Sequence, residues 1–299
     1  MLREAGKRLY LCSVYNARAT PVPLYLLIML DSSPSFRFIE LDETVSTNSF
    51  LADYRPAQPA ELTLVSAEYQ TAGRGQTGNS WESAAGQNLL FSLLLHPTSL
   101  PPTQLFLLSE AIALSVRDAL TEFLGGQTPS TGGSPDAISV KWPNDIYVGD
   151  RKIGGILIEN ELTGSRIGRC IIGCGVNINQ AEFHSDAPNP VSLRQLVGRD
   201  TPRPLVLDAI VTRFRRHYAA LEERADAVAT LHASYLAALY RREGMHPYRD
   251  ASSPTPFLAE IADVETGGHL VLRDEQGRLR RYAFKEVAFV PTLYLGSAK

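Results

Sequence analysis

The stretch Ile138-Ser139-Val140-Lys141-Trp142-Pro143-Asn144-Asp145-Ile146-Tyr147-Val148, followed by Arg151-Lys152-Ile153-Gly154-Gly155-Ile156-Leu157, decides the fold. Its β-branched runs predict strands at 138–142 and around 146–148, then at 153–162 and 166–178. Thr163-Gly164-Ser165 closes a hairpin between the last two, so the pairing is mostly antiparallel. Upstream, residues 36–46 read as extended, Ser49 to Asp53 opens a helix capped near Thr47 or Asn48, and strands follow at Leu62–Tyr69 and Asn88–Leu95. Leu105, Leu108, Ile112, Val116 and Leu120 recur at helical spacing until Gly125-Gly126 stops them, and Gln127 to Pro135 is a surface loop of small polar residues. Leu205 to Arg242 is long helical material, and Gly244, Pro247 and Ser252-Ser253-Pro254 end the large domain. Short strands at 257–261, 269–272 and 282–284 predict a small β-barrel. The expected class is α+β: a mixed, mostly antiparallel sheet packed with helices over 36–250 and a small C-terminal β-barrel domain over 251–299, with 1–35 as an N-terminal extension.

Composition narrows the function classes. The chain has 299 residues, 44% hydrophobic and 20% charged, with a net charge of −3, so no broad field attracts nucleic acid. Cys12, Cys170 and Cys174 make no paired framework, and Cys170 and Cys174 alternate with Ile171 and Ile172 in a strand-like run. Buried thiols in a reducing cytoplasm fit better than a metal centre, and the six scattered histidines supply no ligand set. The apolar run Leu24 to Leu30 is too short to span a bilayer and lacks a signal-peptide cleavage site, so translation is expected to begin at Met29.

The chemistry gathers around three cations. Lys141 and Lys152 stand eleven residues apart, and the glycine loop Gly73-Arg74-Gly75 lies upstream to meet them, a combination suited to phosphate. Gly73-x-Gly75-x-x-Gly78 follows a strand but opens no helix, and no acid stands about twenty residues on, so it is neither a dinucleotide fingerprint nor a Walker loop. Its glycines suit a pliable flap in which Arg74 offers a forked donor and Trp81 an apolar face. Taken alone, such a loop is more often a plain hairpin and a lone lysine a surface charge. The company of Pro143, Gly154-Gly155 and the amides of Gly173-Cys174-Gly175-Val176-Asn177-Ile178-Asn179, which suit a nucleobase edge, raises the odds of a site.

Five ordered motifs, Ser46-Thr47-Asn48, Glu68 to Gly75, Lys141 to Asp145, Lys152 to Leu157 and Gly175 to Asn179, resemble those of biotin protein ligases across roughly residues 38 to 290. The resemblance implies a catalytic domain like that of class II aminoacyl-tRNA synthetases. It also implies a two-step reaction: biotin and Mg-ATP give biotinyl-5′-AMP, and a carrier lysine then takes the biotinyl group. Carried over by motif, Ser46, Thr47, Asn48 and Gln70 hold the ureido ring, and Arg74, Gly75, Lys152, Gly154 and Gly155 complete the biotin site. Gly73, Arg74, Trp81, Lys141, Asn144 and Asn177 serve the nucleotide, and Arg74, Lys141, Lys152 and Asp145 are the catalytic set. Asp145 either aligns the incoming lysine or caps its turn. The implied partners are biotin, ATP and a biotin carboxyl carrier protein or carboxylase carrier domain, with Mg²⁺ held mainly by ATP phosphates and no metal site on the protein. Nucleic acid and membrane are not expected partners, and a homodimer is compatible with the resemblance.

Two departures stand out. Gln76 occupies a position where the family often has a second arginine, so the adenylate is expected to be held more loosely. Fewer than fifty residues precede Ser46, too few for the winged-helix domain of regulatory members, so no repressor role is expected. A lipoate-type ligase is the nearest alternative, but its ligand lacks a ureido ring. A non-catalytic biotin-binding module is the other, and it has no need of Arg74, Lys141 and Lys152 together.

Overall fold

The computed structural model describes residues 36–290 apart from 77, 98–99, 126–136, 165, 186–188 and 224. The N-terminal extension with its proposed start at Met29, Cys12, the loop at 127–135 and the last residue of the Thr163-Gly164-Ser165 turn lie outside the described residues. The chain divides into two compact units. Of the described residues, those within Ser99–Gly155, Ala187–Val191 and from Ala209 onward make up the second, and the rest form the first.

In the first unit, β1 (Phe36–Thr44) leads to helix α1 (Thr47–Asp53), β2 (Leu62–Gln70) and β3 (Leu89–Leu95). The far part of β6 (Arg151–Thr163) and all of β7 (Arg166–Val176) complete the strand order β1-β2-β3-β7-β6. β1 and β2 are parallel, whereas β2 with β3 and β3 with β7 are antiparallel, so the sheet is mixed. Every residue of β3 is buried, as its apolar run, broken only by Ser92, requires. Leu51 of α1 seals the sheet by packing with Val65, Leu94 and Ile171. Only seven residues long, α1 gains little from its own hydrogen bonds and depends on outside partners. Arg169 supplies them at the far end, donating to the carbonyls of Leu51 at 2.6 Å and Tyr54 at 3.1 Å. Cys170 and Cys174 are buried thiols in β7, and burial pushes Cys170 up to about 12.

The second unit carries the near part of β6 in the order β6-β5-β4, with β4 (Ile138–Lys141) and β5 (Asp145–Val148) antiparallel. Helix α2 (Phe106–Phe123) stops where Leu124 and Gly125 leave the helical path, Gly125 at φ 103°. Beyond the short α3 (Leu193–Val197) in the first unit, α4 (Arg203–Glu223) and α5 (Ala225–Ala237) fill the expected helical stretch. The C-terminal strands are β8 (His246–Asp250), β9 (Pro256–Val264), β10 (Leu270–Asp274), β11 (Leu279–Tyr282) and β12 (Val287–Phe289). Their order is β11-β10-β9-β8-β12, an antiparallel sheet with two short edge strands rather than a closed barrel among the described residues. The sheet opens at His246, slightly before the position 251 read from the punctuation of the sequence.

Glu110 is a carboxylate in the buried face of α2. Its Oε1 lies 2.8 Å from His232 Nδ1 on α5, and His232 Nε2 lies 3.4 Å from Asp263 Oδ1 on β9. Burial lowers the His232 pKa, but the carboxylates of Glu110 and Asp263 outweigh it and raise the pKa overall. A raised folded pKa contributes stability fully below the unfolded value of 6.5, and that contribution is lost as pH rises through the folded value. Glu110, raised chiefly by burial, acts in the same direction at lower pH. The thermal midpoint is therefore expected to fall between about pH 6 and about pH 8.5, and to fall less in His232→Gln. Equal slopes in scans of the two proteins would refute the assignment.

Candidate active site

In the first unit the polar cluster forms where α1 begins. Ser46 is its N-cap, extended at φ −160° and buried, so the amides of the first turn point back toward β2. Gln70 ends β2 and meets them there. Its Oε1 accepts from the Thr47 backbone N–H at 2.7 Å and from Thr47 Oγ1 at 3.0 Å. Ser92 reaches both neighbours from the middle of β3: its Oγ lies 2.7 Å from Thr47 Oγ1 and 2.6 Å from Asn48 Oδ1. Nδ2 of Asn48 donates to Leu157 O at 3.3 Å and Glu159 Oε2 at 2.8 Å. A hydroxyl has one proton to donate and two lone pairs to accept with, so Ser92 can donate to Asn48 Oδ1 while accepting from the Thr47 hydroxyl. The cluster keeps short donors and acceptors in an otherwise apolar wall, which suits a small neutral polar ring.

Two glycines of β7 make room for this wall. A Cβ at Gly173 would lie 2.1 Å from Asn48 Oδ1, and one at Gly175 would lie 2.4 Å from the Trp81 ring. Trp81 thus covers β7 at Gly175. The glycine loop folds back on itself through the bridge between Arg74 and Ser80, with Gly75 N donating to Asn79 O at 2.8 Å and Trp81 N to Gly73 O at 3.0 Å. Arg74 Nη2 meets Glu159 Oε2 at 2.6 Å, a half-exposed ion pair. Asn177 is buried just beyond β7, where its carbonyl accepts from Leu193 N at the start of α3. The capping box of Ser192 and Gln195 fixes that helix start.

In the second unit the cations lie around the hairpin of β4 and β5. Lys141 and Asp145 are Cα partners across it, Gly155 is the partner of Asp145 on β6, and Gly154 is that of Ile146. Lys152 Nζ reaches Asp145 Oδ1 at 2.6 Å, which places Asp145 on a lysine of its own unit. Lys141 does not stand clear in solvent: its Nζ donates to the Tyr147 hydroxyl at 3.0 Å and lies over the Tyr147 and Phe289 rings. Burial lowers its pKa, with Lys152 and Arg241 adding to the effect and Asp145 opposing it. A lysine held this way loses part of its hydration and gains most from an anion that restores its partners. Asn144 sits in the turn between them, after the cis Trp142–Pro143 peptide bond. Trp142 is buried and donates its indole N–H to Gly268 O at 3.0 Å. A Cβ on Gly268, at φ +86°, would lie 2.7 Å from Phe106.

Thr47, Asn48 and Gln70 are thus joined directly in one unit, and Lys141, Asp145 and Lys152 lie together in the other. Ser92, Glu159 and Trp142 escaped the sequence analysis. The first two left a signal, a lone serine in the apolar run from Leu89 to Leu95 and an acid on the strand that follows Gly154-Gly155. Among the described residues no group of three or more His, Cys, Asp or Glu side chains comes together as a metal site.

Residues 40–177 match the model of the biotin/lipoate A/B protein ligase family. The chain carries a biotin/lipoate ligase domain. That span contains every candidate residue from Ser46 to Asn177. The chain is 34% identical over 163 residues to the bifunctional ligase/repressor BirA of Bacillus subtilis, covering 53% of this chain and 46% of that protein. The chain thus spans about half the length of that curated relative. To the biotin–[acetyl-CoA-carboxylase] ligase of Paracoccus denitrificans it is 29% identical over 245 residues, which is 80% of this chain and 95% of the relative. Its fold matches the biotin protein ligase from Aquifex aeolicus in complex with biotin and ATP, with a TM-score of 0.66, 24% identity and coverage of 84% and 97% of the two chains.

Proposed function

We propose that this chain is a biotin protein ligase. It activates biotin with Mg-ATP to biotinyl-5′-AMP and transfers the biotinyl group to a specific lysine of a biotin carboxyl carrier protein in the cytoplasm. The observation that carries this reading is the polar cluster of Thr47, Asn48, Gln70 and Ser92, hydrogen-bonded in a wall opened by Gly173. A ureido ring has two N–H donors and one carbonyl and calls for short groups of this kind. Lipoate, whose ring has neither, would leave them unsatisfied, so the lipoate alternative is not favoured. The names of the relatives point the same way: the Aquifex neighbour was solved with biotin and ATP.

In the first step a biotin carboxylate oxygen attacks the α-phosphorus and the bond to pyrophosphate breaks. Two anions must approach, so Arg74 and Lys152 on the carboxylate and α-phosphate, and Lys141 and Asn144 on the phosphates, offset a repulsion that would otherwise raise the barrier. Mg²⁺ enters as part of the ATP substrate, its oxygen ligands being phosphates and water. In the second step the carrier lysine, as the neutral amine, attacks the acyl carbon and AMP leaves. Asp145 serves the first step by holding Lys152 in place. Trp81 and Asn177 flank the nucleotide, and Gly154 and Gly155 let biotin lie against β6.

Incubation with biotin, Mg-ATP and a carboxylase carrier domain is expected to add one biotinyl group to one carrier lysine, read by mass spectrometry. Pyrophosphate release triggered by lipoate instead of biotin would reverse the choice of acid. Biotin binding with no ATP turnover would leave only a binding module.

A further inference from the structure

We infer that Glu159 is a positioning residue for the activation step, an inference that rests on the biotin-ligase reading above. Its Oε2 receives Arg74 Nη2 at 2.6 Å and Asn48 Nδ2 at 2.8 Å, so a single oxygen ties the glycine loop to the start of α1. Asn48 is held from two further sides, by Leu157 O and by Ser92 Oγ. Glu159 therefore references Arg74 to a buried, hydrogen-bonded side chain of the polar cluster. This matters because the loop owes its pliability to Gly73, Gly75 and Gly78, and nothing in a glycine backbone fixes where an arginine points.

A carboxylate beside the arginine that must greet a substrate carboxylate resembles a competitor. The geometry argues otherwise. Glu159 takes one nitrogen of a group with five N–H donors, which leaves the rest of the fork for an incoming anion while its direction is set. The pair is half exposed, with side chains 42% and 37% accessible, so its contribution to global stability is small and its loss is not expected to unfold the protein. Its work is the orientation of Arg74.

Three variants separate this from a bland structural role. In Glu159→Ala the KM for biotin is expected to rise about tenfold in biotin-dependent pyrophosphate exchange, with the KM for ATP changing less than about twofold and the thermal midpoint unchanged. Glu159→Gln keeps an acceptor oxygen at the same reach and is expected to recover most of that loss, whereas Glu159→Leu is not. Independently of any substrate, limited trypsin cleavage at the Arg74–Gly75 bond, followed by mass spectrometry, is expected to be about tenfold faster in Glu159→Ala than in wild type. An unchanged biotin KM in an active enzyme, or equal shifts in both KM values, overturns the inference, as does unchanged cleavage at Arg74. If Glu159→Ala does not fold, Glu159→Gln and Glu159→Leu carry the same comparison. A wild-type chain without biotin-dependent exchange refutes the functional reading instead, and the cleavage arm still judges whether Glu159 holds Arg74.

Discussion

Lys152→Ala is expected to lower the rate of adenylate formation by about two orders of magnitude or more, equivalent to about 2.7 kcal/mol of barrier. Lys152 is a charge already positioned by the surrounding backbone. Its N–H donates to Asn189 O and its carbonyl accepts from Val191 N, both at 2.9 Å, while its Nζ is aimed by Asp145 at 2.6 Å. A charge held this way does not reorganise when the α-phosphorus becomes five-coordinate, and such groups stabilise a transition state more than the ground state. The measurement is biotin-dependent pyrophosphate exchange against single-turnover transfer from chemically prepared biotinyl-5′-AMP. Loss in the first assay with a much smaller loss in the second places Lys152 in activation. Equal losses would move it to transfer or to the fold. Asp145→Ala is predicted to follow Lys152→Ala at smaller amplitude, because it frees the cation without removing it.

The second large effect is expected from a substitution of one methyl group. In Gly173→Ala the added carbon would lie 2.1 Å from Asn48 Oδ1 and 2.8 Å from its Cγ, well inside contact distance. Asn48 cannot simply swing aside, since its amide is tied to Leu157 O and Glu159 and its oxygen to Ser92. Overpacking of this kind costs about 1–3 kcal/mol of stability, and the loss falls on the wall proposed to hold biotin. Biotin affinity is expected to drop at least about a hundredfold while ATP binding without biotin stays near wild type. Calorimetric titration of each ligand tests this. A Gly173→Ala protein that binds biotin normally would show that Asn48 has another seat and would remove it from the recognition cluster.

Much of the fold was legible because backbone chemistry repeats. The β-branched runs at 138–148, the apolar stripe from Leu105 to Leu120 and Gly125 each announce local conformation, and the elements lie close to where those signals put them. The parallel pairing of β1 with β2 was not legible, since alternation identifies a strand but carries no direction. Closure of the C-terminal strands was equally invisible, because periodicity is the same in an open sheet and a barrel. Within the site, the motif residues that carry charge stood out. Those that act by leaving space did not: Gly173 and Gly175 read only as part of a run suited to a nucleobase edge, whereas the structure uses them as vacancies for Asn48 and Trp81. Ser92 was hidden by its surroundings, and Lys141, read as one of three cations suited to phosphate, packs on Tyr147 and Phe289.

Trp142 gives the small C-terminal sheet a meaning that its distance along the chain conceals. The residue next to Lys141 buries its indole and anchors it on the carbonyl of Gly268, in the turn between β9 and β10. The hairpin that bears Lys141 is thereby bolted to a segment more than a hundred positions downstream. On the proposed function, damage to that distant turn is expected to weaken nucleotide binding, so a lesion mapped to the tail would belong with defects of the chemistry.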